Sequence, residues 1–211
     1  MTLIFILLFF LYVLFVGLMF YAWRKFPHDS TTDRKLDQLN VSIVIAARNE
    51  SANVGALLED IRHQTHANFK AIVVDDHSND ETTNIVRNFE AMDPRFSAIT
   101  NLGEGKKAAL TTGIKSSDSE IIVTTDADCR TETRWLETMV ARFQDPEVKF
   151  VFGGVKIEGQ SFFASMQSHE FLSLIGTAAA TLWWGFPSMW NGANLAFRKS
   201  VFQIRYIKIF F

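Results

Sequence analysis

Residues 120–128 read EIIVTTDAD, an apolar, β-branched run that closes on two carboxylates two positions apart. A short continuous apolar run of this kind is the pattern of a strand covered on both faces, as in a parallel sheet. Working outward, the same design recurs twice. VSIVIAA (41–47) runs into Arg48-Asn49-Glu50, and FKAIVVDD (69–76) ends in Asp75 and Asp76. The intervening stretches carry helical spacing: Val54, Leu57, Leu58 and Ile61 within 50–63; Ile85, Val86 and Phe89 within 80–92; Gly105 to Lys115; and Trp135, Leu136, Met139 and Val140 within 133–143. Phe96 to Thr100 and KFVFGGVKI (149–157) read as further strands. The order β-α-β-α-β-α-β-α-β predicts an α/β domain: a mostly parallel sheet, right-handed crossovers and helices on both faces. No internal repeat is visible.

In open α/β sheets, ligands bind beyond the carboxyl ends of the strands. Three strands here end in polar clusters, and one edge of one sheet would gather them. Asp126 and Asp128 form the sharpest pair. In an extended segment, residues i and i+2 point the same way, so both carboxylates would face one hard cation such as Mg²⁺ or Mn²⁺. The competing reading is a turn that caps the next helix. Asp75 and Asp76 point in different directions, so one can bond a base or ribose while the other caps the loop. Ser78 and Asp80 suit the cap of a helix beginning near Glu81, and His77 reads as an exposed loop histidine. Gly105-Lys106-Lys107 opens a helix, where phosphate is attracted; an ordinary basic helix start is the alternative, since the full P-loop spacing is absent.

Composition limits the remaining possibilities. Of 211 residues, 48% are hydrophobic and 21% charged, which excludes a disordered chain. A single cysteine, Cys129, excludes a disulfide scaffold or a CxxC metal site, and a net charge of −2 gives no electrostatic case for nucleic acid. Thr2 to Trp23 carry no charge; as a helix they extend about 33 Å, enough for a hydrocarbon core of about 30 Å. A cleaved signal peptide fits poorly, because no positive segment precedes the run and no small-x-small site follows it. Residues 1–23 are therefore expected to be a retained single-pass anchor and 24–40 a polar linker. Tyr21 and Trp23 form an interfacial belt, and Arg24, Lys25, Arg34 and Lys35 place the rest of the chain on the cytoplasmic side of the plasma (inner) membrane. Cys129 fits a reducing compartment. Phe171 to Phe197 are also uncharged. Gly and Pro interrupt this stretch, so a buried or interface-lying helix over about 166–184 is expected rather than a second span. Trp183, Trp184, Phe186 and Trp190 would suit a headgroup surface, an acceptor groove or a core.

VSIVIAARNE, VVDDHSNDET, GKKAAL (105–110), TTDAD and NGANLAFRK (191–199), in that order, resemble the signature of glycosyltransferase family 2, over about 41–200. Each piece alone is weak, but the ordered set is specific. The resemblance implies a GT-A fold, a nucleotide-diphosphate sugar donor (usually a UDP-sugar), a Mg²⁺ or Mn²⁺ ion and inversion at the anomeric carbon. Carried over by position, Ala46, Arg48 and Glu50 would border the nucleotide. Asp76 resembles the uracil-binding acid, with Asp75 beside it, and Lys106 would sit near the base or phosphates. Asp126 and Asp128 would hold the metal and diphosphate, and Asn191, Gly192, Ala193 and Asn194 would line the acceptor or donor sugar. The acceptor would be a carbohydrate or a lipid-linked one. The family's general base comes after the NGAN-like segment, whereas here the last acid is Glu170 and residues 201–211 form an aromatic-basic tail. A truncated domain without its base is expected, and His169-Glu170 is a poor substitute that reads better as a satisfied buried polar pair. The competing functions are a module that binds nucleotide-sugar and metal without transfer, and an unrelated phosphoryl-transfer or receiver-like metal site, which leaves NGANLAFRK unexplained.

Overall fold

Strand β1 (Val41–Ala47) is buried along almost its whole length, as its unbroken apolar run requires. It lies between β2 (Phe69–Asp75) and β4 (Ile121–Asp126), parallel to both, and β2 is in turn parallel to β3 (Phe96–Thr100). The computed structural model describes residues 2–25, 39–157, 159, 161–186 and 192–202. Its sheet has six strands in the order β3-β2-β1-β4-β6-β5.

The last two strands depart from the sequence reading. The segment 149–157 contributes only β5 (Phe150–Phe152), and Asn194–Arg198, read above as a motif, forms β6. β6 runs antiparallel to β4 and to β5. The sheet is thus mostly parallel, as expected, with an antiparallel edge where β6 enters between β4 and β5. Its residues also split between the faces. Ala196 joins the apolar cluster on one side, while Leu195 and Phe197 join the other.

One face is covered by α2 (Val54–Arg62), α3 (Thr82–Met92) and α5 (Trp135–Val140), which add Val54, Leu57, Leu58, Ile61, Val86, Leu136 and Met139 to Ile43, Ile45 and Val123. The other face is covered by α4 (Lys106–Ser116), whose Ala109, Leu110 and Ile114 meet Val44, Val74 and Ile122. α4 lies very close to the sheet. A Cβ built on Gly113 would come within 2.5 Å of Val44 and 2.8 Å of Val74. Gly113→Ala is therefore expected to lower stability by about 1–3 kcal/mol through overpacking, read as a shifted midpoint in chemical denaturation; an unchanged midpoint would mean that α4 can lift without loss.

The described residues divide into two compact units. Ser30–Gly153 with Asn191–Phe211 carries the sheet, and Met1–Asp29 with Gly154–Trp190 carries two long helices. In the second unit, α1 (Thr2–Lys25) is apolar to its last turn, where Arg24 and Lys25 follow. Among the described residues it is the one helix long and apolar enough to cross a membrane. α6 (Phe162–Trp183) starts at Ser161, whose Oγ accepts a hydrogen bond from the Ala164 amide at 3.0 Å. It meets α1 near Tyr21, whose ring stands edge-on to Trp183 at 6.0 Å. Phe162, Phe163 and Met166 at its start, and Trp183, Trp184 and Phe186 at and beyond its end, are exposed. The linker positions 26–38, Trp190, Asn191 and the tail beyond Phe202 lie outside the described residues.

Candidate functional site

The parallel register places the polar strand ends side by side. Ala47 stands opposite Asp75, and Ala46, half-buried, stands opposite Asp126. Arg48, Asp75, Asp76 and Asp126 therefore share the carboxyl edge of β2, β1 and β4. The chain leaves β1 and β2 through a backbone position that few residues adopt. Asn49 and His77 have φ of 55° and 60°, the left-handed region that Asn and His tolerate better than most.

Hydrogen bonds stitch these two turns together. The Asn49 amide donates to Ser78 Oγ at 2.9 Å, and the Asn79 amide returns a bond to Asn49 Oδ1 at 2.8 Å. The Glu50 amide donates to Thr82 Oγ1 at 2.8 Å, and the Ser51 amide to Asp80 Oδ2 at 3.1 Å. Asp80 also accepts from the Thr82 amide and hydroxyl. It thus ties two loops together as well as flanking the start of α3, whose N-cap position is Glu81. The Thr82 hydroxyl bond, helped by Ser51, holds the Asp80 carboxyl well below the usual carboxylate range. A depressed carboxyl contributes above its ordinary pKa of about 4 and stops contributing only as pH falls through its lowered value. Amide-exchange protection at Ser51 and Thr82 is expected to stay constant from about pH 8 to pH 5 and to fall about tenfold in Asp80→Ala. Protection that survives the substitution would show that the backbone alone holds the loops.

The two adjacent acids divide their work. Asp75 accepts from the Ser78 amide at 3.2 Å and the Thr83 hydroxyl at 2.9 Å, closing its own loop. Asp76 is buried and turns the other way. It accepts from Asn101 Nδ2 at 2.6 Å and from the Gly105 amide at 2.9 and 3.1 Å, and Arg48 lies 3.7 Å from it. Gly105 has φ of 83°, a conformation that suits its lack of a side chain. Asn101 was missed in the sequence, although it follows β3 in the way the other polar clusters follow their strands; the strand-end rule applied a fourth time would have found it. His77 is exposed as expected, with Nε2 3.2 Å from the Gly103 carbonyl.

Lys106, the first residue of α4, places Nζ 2.7 Å from Asp126 Oδ1. Asp126 is the last residue of β4, and Ala127 and Asp128 already belong to a turn closed by the Cys129 amide on the Asp126 carbonyl at 3.1 Å. This corrects the extended-strand argument: strand alternation does not align the two carboxylates, because the strand has ended. Asp128 is exposed, and burial pushes the neighbouring Cys129 thiol up. Among the described residues, no three His, Cys, Asp or Glu side chains gather around a possible ion. Two carboxylates at an open strand end nevertheless fit Mg²⁺ or Mn²⁺, which are commonly held by one or two carboxylates and completed by substrate phosphate and water.

Of the 191–194 segment, Asn191 lies outside the described residues. The Gly192 carbonyl accepts from buried Thr124 Oγ1 at 2.7 Å. Asn194 Oδ1 accepts from the Trp135 indole at 2.9 Å, and its backbone carbonyl accepts from the Gly153 amide at 2.9 Å. A Cβ on Gly153 would collide with the side-chain amide of Asn194, so Gly153 makes room for it. Glu50 is half-buried and accepts from Asn53 Nδ2 at 2.9 Å. His169 and Glu170 lie on α6 in the other unit, and both are exposed, not the buried pair expected. They are accommodated there because the exposed side of the helix is mixed rather than wholly apolar.

A family model described as Glycosyl transferase family 2 matches residues 42–208. Glycosyltransferase AglE of Haloferax volcanii is 32% identical over 145 residues, covering 63% of this chain and 48% of that protein. UDP-Glc:alpha-D-GlcNAc-diphosphoundecaprenol beta-1,3-glucosyltransferase WfgD of Escherichia coli is 28% identical over 123 residues, 58% of this chain and 48% of that one. The chain thus spans about half the length of these curated relatives. Among solved structures, mannosyltransferase PcManGT from Pyrobaculum calidifontis, in complex with GDP-Man and Mn²⁺, superposes with a TM-score of 0.66 at 22% identity, over 90% of this chain and 54% of that one. At that identity the likeness speaks for the fold.

Proposed function

The chain belongs to glycosyl transferase family 2, with the GT-A type of α/β fold, and on that premise we propose that it transfers a sugar from a UDP-sugar to a hydroxyl acceptor with inversion. The observation that carries this reading is the gathering of Arg48, Asp76, Lys106 and Asp126 at one sheet edge, in two acid–base pairs. Arg48 and Asp76, with Glu50 alongside, would receive the nucleoside. Asp75 and the laced loops would keep that wall in place. Asp126 and Asp128 would hold Mg²⁺ or Mn²⁺ against the diphosphate, and the ion would supply Lewis-acid neutralisation of the charge that grows on the leaving group. Lys106 adds a positive charge on the same side. Asn194, fixed by Trp135, and Gly192 would border the sugar. The attacking hydroxyl needs a base, and no described residue is assigned that role.

The remaining reading concerns the membrane. α1 would anchor the chain, with Arg24 and Lys25 on the cytoplasmic side, and the aromatic residues at the end of α6 would sit at headgroup level. A carbohydrate or lipid-linked acceptor fits that placement.

The test is to measure UDP binding by calorimetry with and without Mn²⁺, and transfer or donor hydrolysis on the same membrane preparation. Metal-dependent binding with turnover supports the enzyme. Binding without turnover supports a nucleotide-sugar-binding module instead. No binding of UDP or GDP in either condition would overturn the site.

A further inference from the structure

The acids of the strand-end edge differ in what already occupies them. Asp75 is satisfied by its own loop, through the Ser78 amide and the Thr83 hydroxyl. Asp76 is enclosed by Asn101, Gly105 and Arg48. Asp126 is held by a mobile type of group, the ammonium of Lys106 at 2.7 Å, in a pair whose side chains are 57% and 29% exposed. A divalent cation reaching Asp126 would meet that ammonium at the same carboxylate. A carboxylate can accept at both oxygens, but an ammonium and a divalent ion a few ångströms apart repel each other, so each weakens the other's hold on Asp126.

From this geometry we infer that Lys106 is a placeholder for the metal: ion and ammonium compete for Asp126, and loading the donor site exchanges partners, the carboxylate passing to the ion and the ammonium to the diphosphate. The inference rests on the donor-site reading above and adds the order of events within it. The backbone of Lys106 is fixed next to Gly105, whose amide is bound to buried Asp76. Its four-carbon stem is largely exposed, so the head can swing while the root stays in place. In the empty site the ammonium neutralises Asp126. In the loaded site it adds its charge to the phosphate side, where a compact ammonium is a good partner. The exchange predicts a cost to metal binding alone and a gain once a diphosphate is present.

The experiment uses the full chain in detergent micelles, with free Mn²⁺ followed by electron paramagnetic resonance in the absence of nucleotide. Lys106→Gln and Lys106→Met are expected to bind Mn²⁺ about three- to tenfold more tightly than the parent chain, because an exposed competing pair and an adjacent positive charge are removed. Lys115→Gln, which removes the same charge from the far end of α4, is expected to leave Mn²⁺ binding unchanged. In EDTA, UDP binding by calorimetry is expected to weaken about three- to tenfold in Lys106→Gln and to be largely kept in Lys106→Arg. Mn²⁺ binding that is lost in Asp126→Asn but not tightened in either Lys106 variant would overturn the exchange and leave the donor site standing. Tightening in Lys115→Gln equal to that in Lys106→Gln would reduce the effect to net charge and would also overturn it. Mn²⁺ binding indifferent to both Asp126→Asn and Asp128→Asn would overturn the donor-site reading and the exchange with it.

Discussion

Asp126→Ala and Asp128→Ala are each expected to lower sugar transfer by about 10²–10³-fold while leaving the fold intact. The size follows from what the two carboxylates would do: a preorganised charge that stabilises the leaving group carries that much of a barrier in comparable sites. The preserved fold follows from their position. Asp126 is only half-buried at the end of β4, and Asp128 is exposed in the turn after it, so their removal opens no apolar cavity. A stability change of about 0.5 kcal/mol or less is expected. The two variants should differ in one respect. Removing Asp126 also frees Lys106, so metal-free UDP binding should hold or tighten there even as turnover collapses. Removing Asp128 leaves the Lys106 pair in place. Transfer rates, UDP calorimetry with and without Mn²⁺, and a denaturation curve on each variant separate these effects. Turnover within a few-fold of the parent in both variants would remove these residues from the chemistry.

The sequence made this edge legible because each polar cluster follows a strand that advertises itself. The runs 41–47, 69–75 and 121–126 are mostly apolar and β-branched with no regular polar alternation, and strands of that kind have few alternatives once helical spacing separates them. Their order in the sheet then brings the ends together without any further information. Less was legible where structure depends on a partner far away in the chain. β6 is five residues, Asn194–Arg198, and its pairing with β4 and β5 defines it more than its composition does. The Trp135 indole meets Asn194 across 59 positions, and nothing local to either residue announces the other. Helix ends are less legible than helix cores. Within 50–63, α2 spans Val54–Arg62, preceded by a turn in which the Asn53 and Val54 amides both bond the Glu50 carbonyl. Asp126-x-Asp128 shows a third case, in which the residues were singled out for a reason that fails: the turn positions them, and alternation along the strand does not.

Asp76→Ala is expected to be the most damaging single change at the proposed nucleoside side of the site, costing about 2–3 kcal/mol of stability and most of the UDP affinity. Asp76 is 4% exposed, and its oxygens serve Asn101 Nδ2, the Gly105 amide and, at longer range, Arg48. Truncation leaves two donors without an acceptor in a place that water reaches poorly. Each such orphan costs about 1–3 kcal/mol, and the exposed part of Arg48 recovers some of that by turning to solvent. The functional loss follows from the same bonds. Asn101 and Gly105 bracket the turn that delivers Lys106 to Asp126, so freeing the turn disturbs both halves of the site at once. Asp76→Asn keeps one acceptor but sets an amide NH₂ where a second acceptor is needed, and it should fall between the parent and the alanine variant. Asp75→Ala is the informative contrast. The Asp75 carboxylate bonds the Ser78 amide and the Thr83 hydroxyl at the start of α3, so its loss should cost about 1 kcal/mol and weaken UDP binding less. Denaturation midpoints and UDP titrations on the three variants check the ranking; equal losses in Asp75→Ala and Asp76→Ala would show that the two acids act as one cluster, without the division of work that their hydrogen bonds describe.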